Sequence, residues 1–123
     1  MKKVFTVCAF LLSFLGFAQH STAMLDGVWV GEGYQFNLNE SWSVVLTIDE
    51  GEYKIDYTSL SCIAELKLLQ VNSNRVFFEE EMKKGHCIPD GLVELELINA
   101  NTLRYKWSFS DGEPGAIAEL YKF

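Results

Sequence analysis

The chain has 123 residues, 49% of them hydrophobic and 14% aromatic, with 10 basic side chains against 17 acidic ones and a formal charge of −7. That length suits one domain. An acidic surface argues against nucleic acid and anionic lipid as partners and is compatible with a cationic one.

The first stretch reads as a leader. Lys2-Lys3 forms a short basic head, and Val4 to Ala18 is an apolar run of 15 residues, too short and wrongly flanked for a membrane span. Small residues then offer cleavage after Ala18 or after Ala23. We read residues 1–18 as a signal peptide, with 23 as the alternative cleavage point, and 24–123 as one domain. The mature chain is therefore expected in the periplasm or outside the cell, not inserted in a membrane. Cys8 leaves with the leader, being too near the start to be a lipoprotein cysteine. Removing Lys2 and Lys3 takes the basic count from 10 to 8 against 17 acids, a charge of −9.

From Val28 onward the pattern has period two, broken by turn residues about every ten positions. Val28 to Asn37 reads as a first strand. A bulge at Gly31 or Gly33 is expected to switch its phase from Trp29 to Tyr34 and Phe36. Trp42 to Asp49 follows with Trp42, Val44, Leu46 and Ile48 inward. Glu50-Gly51 turns it into Glu52 to Thr58, with Tyr53, Ile55 and Tyr57 inward. Ile63 to Val71 and Arg75 to Met82 form a central hairpin about Asn72-Ser73-Asn74. Leu92 to Ile98 places Val93, Leu95 and Leu97 inward. Thr102 to Phe109 places Leu103, Tyr105, Trp107 and Phe109 inward, and Ala116 to Tyr121 closes the series. No helical periodicity or internal repeat interrupts it.

Eight short strands with short connections imply an all-β domain, a small antiparallel up-and-down barrel, with a two-sheet sandwich as the alternative. So many inward aromatics imply a filled core and not a lipocalin-sized cavity. Cys62 precedes the central hairpin and Cys87 follows it, so an antiparallel return brings them together. In an exported chain that pair implies a disulfide. Closing a loop of about 25 residues contributes roughly 3.5 kcal/mol in the chain-entropy view, a large share for a small domain. Zinc through Cys62, His86 and Cys87 is disfavoured, because adjacent His86 and Cys87 lack ligand spacing. No metal or cofactor is expected. The long connections, 38–41, 58–62, 83–91 and 110–115, fall on one rim, where a site would lie.

Glu80 is the most informative single residue. The apolar phase Val76, Phe78, Met82 turns it inward, where a carboxylate must be hydrogen-bonded or wet. With Tyr57, Tyr105 and Trp107 it is expected to line a mouth for a small polar or cationic group, or else to be a satisfied core carboxylate. Counting register from the turns sets Lys67 beside Glu79, Glu79 beside Glu96, and Glu96 beside Arg104 on the outer face. The next rung would hold Glu65, Glu81, Glu94 and Lys106, an acidic face open to a basic partner or simply solvated. Leu69 and Phe77 also face outward. Ser59, Ser61, His86 and Asp90 supply the residue types of a hydrolase without a strained nucleophile turn, and no phosphate loop or dinucleotide fingerprint occurs. The chain is not expected to be an enzyme.

Gly27-Val28-Trp29 resembles the Gly-x-Trp opening of lipocalin-type barrels. A longer match runs through Tyr57-Thr-Ser-Leu-Ser-Cys62, Phe78-Glu-Glu-Glu-Met82, Gly85-His-Cys87, Gly91-Leu-Val and Leu103-Arg-Tyr-Lys-Trp107. It resembles a small domain of exported bacterial proteins, without established activity, also seen at the outer end of some bacterial serine/threonine kinases. There the pattern is Tyr-Pro-Ser-Leu-Gly-Cys, Phe-Arg-Glu, Cys, Gly-Gly and Leu-x-Tyr-x-Trp. The resemblance implies a barrel over most of 27–121 and brings no activity with it. Thr58 stands where that pattern has proline, and Ser61 where it has glycine. The functional expectation is a binding module that contacts a protein through the rim or the acidic face. The alternatives are a small-ligand binder at Glu80 and an inhibitor of a basic envelope enzyme such as lysozyme.

Overall fold

A computed structural model describes residues 23–123; the leader 1–18 and Cys8 lie outside the described residues. Eight strands follow in order: β1 Gly27–Gln35, β2 Glu40–Asp49, β3 Glu52–Tyr57, β4 Cys62–Asn72, β5 Arg75–Lys84, β6 Leu92–Asn99, β7 Thr102–Ser108 and β8 Pro114–Lys122. Each pairs antiparallel with the next, and β8 pairs with β1, so the sheet closes into one barrel and not a sandwich. Closure leaves the first and last strands no free edge.

The alternation read from the sequence fills the interior. Trp42, Val44, Leu46 and Ile48 of β2, Tyr53, Ile55 and Tyr57 of β3, and Leu103, Tyr105 and Trp107 of β7 are all buried. Charged side chains such as Glu32, Lys54, Glu65, Lys67, Glu79, Lys106 and Glu119 face outward and are exposed. That is the reverse of the alternation that lets a barrel face lipid. Among the described residues no helix is long and apolar enough to cross a membrane.

Two expectations need correction. First, β1 has no bulge. Its register runs unbroken from Gly27↔Ile48 to Gln35↔Glu40 on one side and from Trp29↔Lys122 to Gln35↔Ala116 on the other. Trp29, Gly31, Gly33 and Gln35 therefore share the inner phase, and Tyr34 and Phe36 are exposed. A Cβ on Gly33 would collide with the Trp42 ring, so that glycine makes room for an indole and does not bend the strand.

Second, the expected acidic rung does not form. Lys67 does pair with Glu79, Glu65 with Glu81, Glu96 with Arg104, and Glu94 with Lys106. But β5 meets β6 four residues away from the expected register: Glu79 faces Leu92, Phe77 faces Glu94, and Arg75 faces Glu96. The β5–β6 connection is a long loop with no turn to count from. Burial of Val76 opposite Leu95 and of Phe78 opposite Val93 sets the register instead.

The two ends of the barrel differ. One carries only tight turns, at 50–51, 73–74 and 100–101. Leu25 seals it, buried against Trp29, whose indole N–H donates to the Leu25 carbonyl at 2.8 Å. The other carries the connections 36–39, 58–61, 85–91 and 109–113. There Cys62 and Cys87 are disulfide-bonded, with Cα atoms 6.2 Å apart.

Candidate ligand pocket at the loop-bearing rim

The loop-bearing end is not filled. A cavity of about 220 Å³ opens there, floored by Glu80, Tyr57, Tyr105, Trp107 and Trp42. This is smaller than the usual range of roughly 300–1,000 Å³ for drug-sized ligands. Exposed Leu38, Leu60 and Ile88 stand around its mouth beside His86. The filled interior expected from the aromatic content therefore holds at one end only.

Four strands bring the floor together. β5 alternates Val76, Phe78 and Glu80 inward, and the Glu80 N–H is fixed by the Gly91 carbonyl at 2.8 Å. β3 ends on Tyr57, β7 contributes Tyr105 and Trp107 two residues apart, and β2 begins with Trp42 on its inner phase. A Cβ on Gly91 would strike the Trp107 indole nitrogen. Glycine there lets the indole lie against the loop and still reach the carboxylate.

Glu80 is 2% exposed and is the only buried charged residue among those described. Tyr57 donates its hydroxyl hydrogen to Glu80 Oε2, and Trp107 Nε1–H donates to Oε1 at 3.0 Å. The Tyr57 and Tyr105 oxygens are 2.6 Å apart. A phenol has one hydrogen to give. Tyr57 spends its own on Glu80, so Tyr105 must donate to Tyr57, and the donors run in one direction toward the carboxylate.

Burial pushes the Glu80 carboxyl above its usual range, although the hydrogen bonds from Tyr57 and Trp107 pull the other way. Burial, with the nearby Glu80 charge, also holds both phenols well above their ordinary value. They remain protonated donors at neutral pH. Among the described residues no Lys or Arg lines the cavity, and Glu40 adds a second carboxylate to its lining. Hydrogen bonds satisfy Glu80, but among the described residues no cation offsets its charge.

The expected outer-face acids are placed elsewhere. Glu81 is bridged by Lys67 at 2.8 Å and by Lys83 at 2.5 Å, and those partners lower its carboxyl to about 2. Lys83 also approaches Glu65 at 3.8 Å. Glu94 Oε2 lies 3.8 Å from Lys106 Nζ, an ion pair beyond hydrogen-bond reach. These three acids are therefore interleaved with lysines.

Of the residue types considered for catalysis, Ser59 accepts a hydrogen bond from the Ser43 backbone N–H at 2.9 Å, and His86 sits at the cavity mouth. Among the described residues no cluster of three or more His, Cys, Asp or Glu is placed to hold a metal. Ser61 has φ 56°, a left-handed conformation that costs an L-residue about 1–2 kcal/mol and suits glycine. It ends the short 3₁₀ turn Thr58–Leu60 that leads into Cys62.

Sequence reasoning missed Trp42 and Gln35 as walls of the pocket. The signal for Trp42 is its inward phase with Val44, Leu46 and Ile48, and that for Gln35 is the alternation Trp29, Gly31, Gly33, Gln35 read without a bulge. Trp42 Nε1–H donates to Gln35 Oε1 at 3.2 Å, tying the two walls at the rim. Compared with protein-family models, with curated proteins and with solved structures, the chain shows no significant match in any of the three.

Proposed function

We propose that the mature chain is an exported binding module that takes a small group into the rim pocket and does not turn it over. The observation that carries this reading is the cavity of about 220 Å³ floored by a buried carboxylate and four aromatic rings. A core built only for stability gains nothing from a void beside a desolvated charge. The Cys62–Cys87 disulfide and the basic-apolar leader support export.

The ring of Leu38, Leu60 and Ile88 gives the occupant an apolar collar, so the group can arrive free or as one side chain of a docking protein. The outer acidic face supports a basic partner less well, because Glu81, Glu65 and Glu94 each already have a lysine beside them. An inhibitor of a basic envelope enzyme that uses that face is therefore the weaker reading.

The test is a thermal-shift screen of the oxidised protein against small amines, carboxylates, alcohols and sugars. A ligand that binds only the folded state raises the melting temperature with concentration. Ala116 is buried and lines the cavity, so Ala116→Leu, which fills it, should abolish the shift while the fold persists. Shifts that survive Ala116→Leu would remove the pocket from the reading.

A further inference from the structure

Resting on the reading of the rim pocket as a ligand site, we propose that its occupant is a quaternary ammonium group, a trimethylated nitrogen on a short stem. The rings of Trp42, Tyr57 and Tyr105 form an edge-to-face cluster at the inner end of the cavity. Trp42 stands at 90° to Tyr57 and 88° to Tyr105, with centroids 5.2 and 6.1 Å apart, and the two tyrosines meet at 69°. Aromatic rings attract cations over their faces, and Trp42, Tyr57 and Trp107, each 4–7% exposed, supply the aromatic surface open to the cavity, with Tyr105 packed behind them. Beside them lies the Glu80 carboxylate, with no Lys or Arg among the described residues of the cavity lining.

The hydrogen-bond inventory selects among cations. Glu80 already accepts from Tyr57 and Trp107, and Tyr57 accepts from Tyr105. A primary ammonium brings three N–H donors that must each find an acceptor once desolvated. The lining is mainly carbon and Glu80 keeps only part of its acceptor capacity, so three donors are harder to satisfy there than in water. A quaternary nitrogen supplies the missing positive charge and has no donor to satisfy, and its methyls pack on the rings. The volume agrees: about 220 Å³ is the liquid volume of roughly seven waters, enough for a trimethylammonium head and a short tail. An anion would face Glu80 and Glu40, and a neutral group would leave the carboxylate charge uncompensated.

The experiment is isothermal titration of the mature, oxidised protein with three compounds on one hydroxyethyl stem: choline chloride, its neutral tert-butyl analogue dimethylbutanol, and ethanolamine. Choline is expected to bind about tenfold or more tighter than dimethylbutanol, with ethanolamine weaker than choline. Glu80→Gln should bring choline down to the level of the neutral analogue. If that variant does not fold, Ala116→Leu serves as the second, and it should abolish choline binding. Vesicles of phosphatidylcholine, compared with phosphatidylglycerol, identify the source. Co-sedimentation with the first alone assigns a lipid headgroup, and binding of free choline without co-sedimentation assigns a soluble compound. Equal affinity for choline and dimethylbutanol would overturn the ammonium assignment and leave the pocket as a ligand site. So would no choline binding at millimolar concentration when other compounds give pocket-dependent thermal shifts. Failure of every compound in both assays would overturn the pocket reading as well.

Discussion

Trp29 and Trp107 lie near opposite ends of the same barrel, both buried, and use their indole N–H groups differently. Trp29 donates to a backbone carbonyl, that of Leu25, which plugs the tight-turn end, and the Lys122 ammonium lies 5.4 Å from its ring centre. Trp107 donates to a carboxylate beside a cavity. The sealed end uses its tryptophan as packing, and its polar atom is satisfied by the nearest main chain. The open end uses its tryptophan to hold a charge in place. An interior that needed only stability would resemble the first end throughout.

Substitution at the two ends should separate these roles. Trp29→Ala removes packing and the indole hydrogen bond to Leu25 at the sealed end and is expected to cost about 3–5 kcal/mol, read from the denaturation midpoint, with ligand binding by the surviving folded fraction unchanged. Removing the disulfide as Cys62→Ala with Cys87→Ala should cost roughly 3.5 kcal/mol, mainly through the unfolded chain. Because Cys87 also lines the cavity, this variant should weaken binding as well, which Trp29→Ala does not. Trp107→Phe keeps a ring but strips one donor from a buried carboxylate, an expected loss of about 1–3 kcal/mol together with binding. If Trp107→Phe bound as wild type does, the indole would be packing at that end too.

The subtlest difference is in pH. Burial raises the Glu80 carboxyl above the ordinary 4.5, so in that window the folded state holds a proton that the unfolded state has released. The stability contributed by this group is full below pH 4.5 and is lost as pH rises through the raised value. Glu80→Gln cannot ionise and should gain on wild type from mildly acidic to neutral pH, as measured by paired denaturation curves. Glu81 runs the other way: its ion pairs act above the ordinary value and fade as pH falls toward about 2. The two windows do not overlap, so a constant difference between Glu80→Gln and wild type above pH 4.5 would mean that Glu80 does not titrate there.

Much of the barrel is legible because period two and burial agree along β2, β3, β7 and most of β5; they part in β4, where Leu68 and Leu69 are both exposed beside a register shift. The inward phase of β2, β3 and β7 and the inward Glu80 followed from alternation alone. What was misread has specific causes. Glycines at 31 and 33 signal either a bulge or a close neighbour, and only the position of the Trp42 ring decides between them. Counting register from turns works where a tight turn joins the strands, as between β6 and β7. It fails across the 85–91 loop, where inner-face packing sets the stagger. The void at the rim is legible only as one of two alternatives for Glu80, because aromatic content reports how much side chain points inward and not how it is distributed along the barrel axis.

The three tryptophans of the chain offer the most direct measurement. Each gives one indole N–H signal in a nitrogen-labelled sample, Trp29 at the sealed end and Trp42 and Trp107 at the rim. Compounds that raise the melting temperature, beginning with choline, would be titrated in. Binding at the rim pocket predicts that the Trp42 and Trp107 signals shift together and saturate while Trp29 stays in place. Shifts confined to amides around Glu65 and Glu81, or a Trp29 signal that moves as far as the other two, would contradict it.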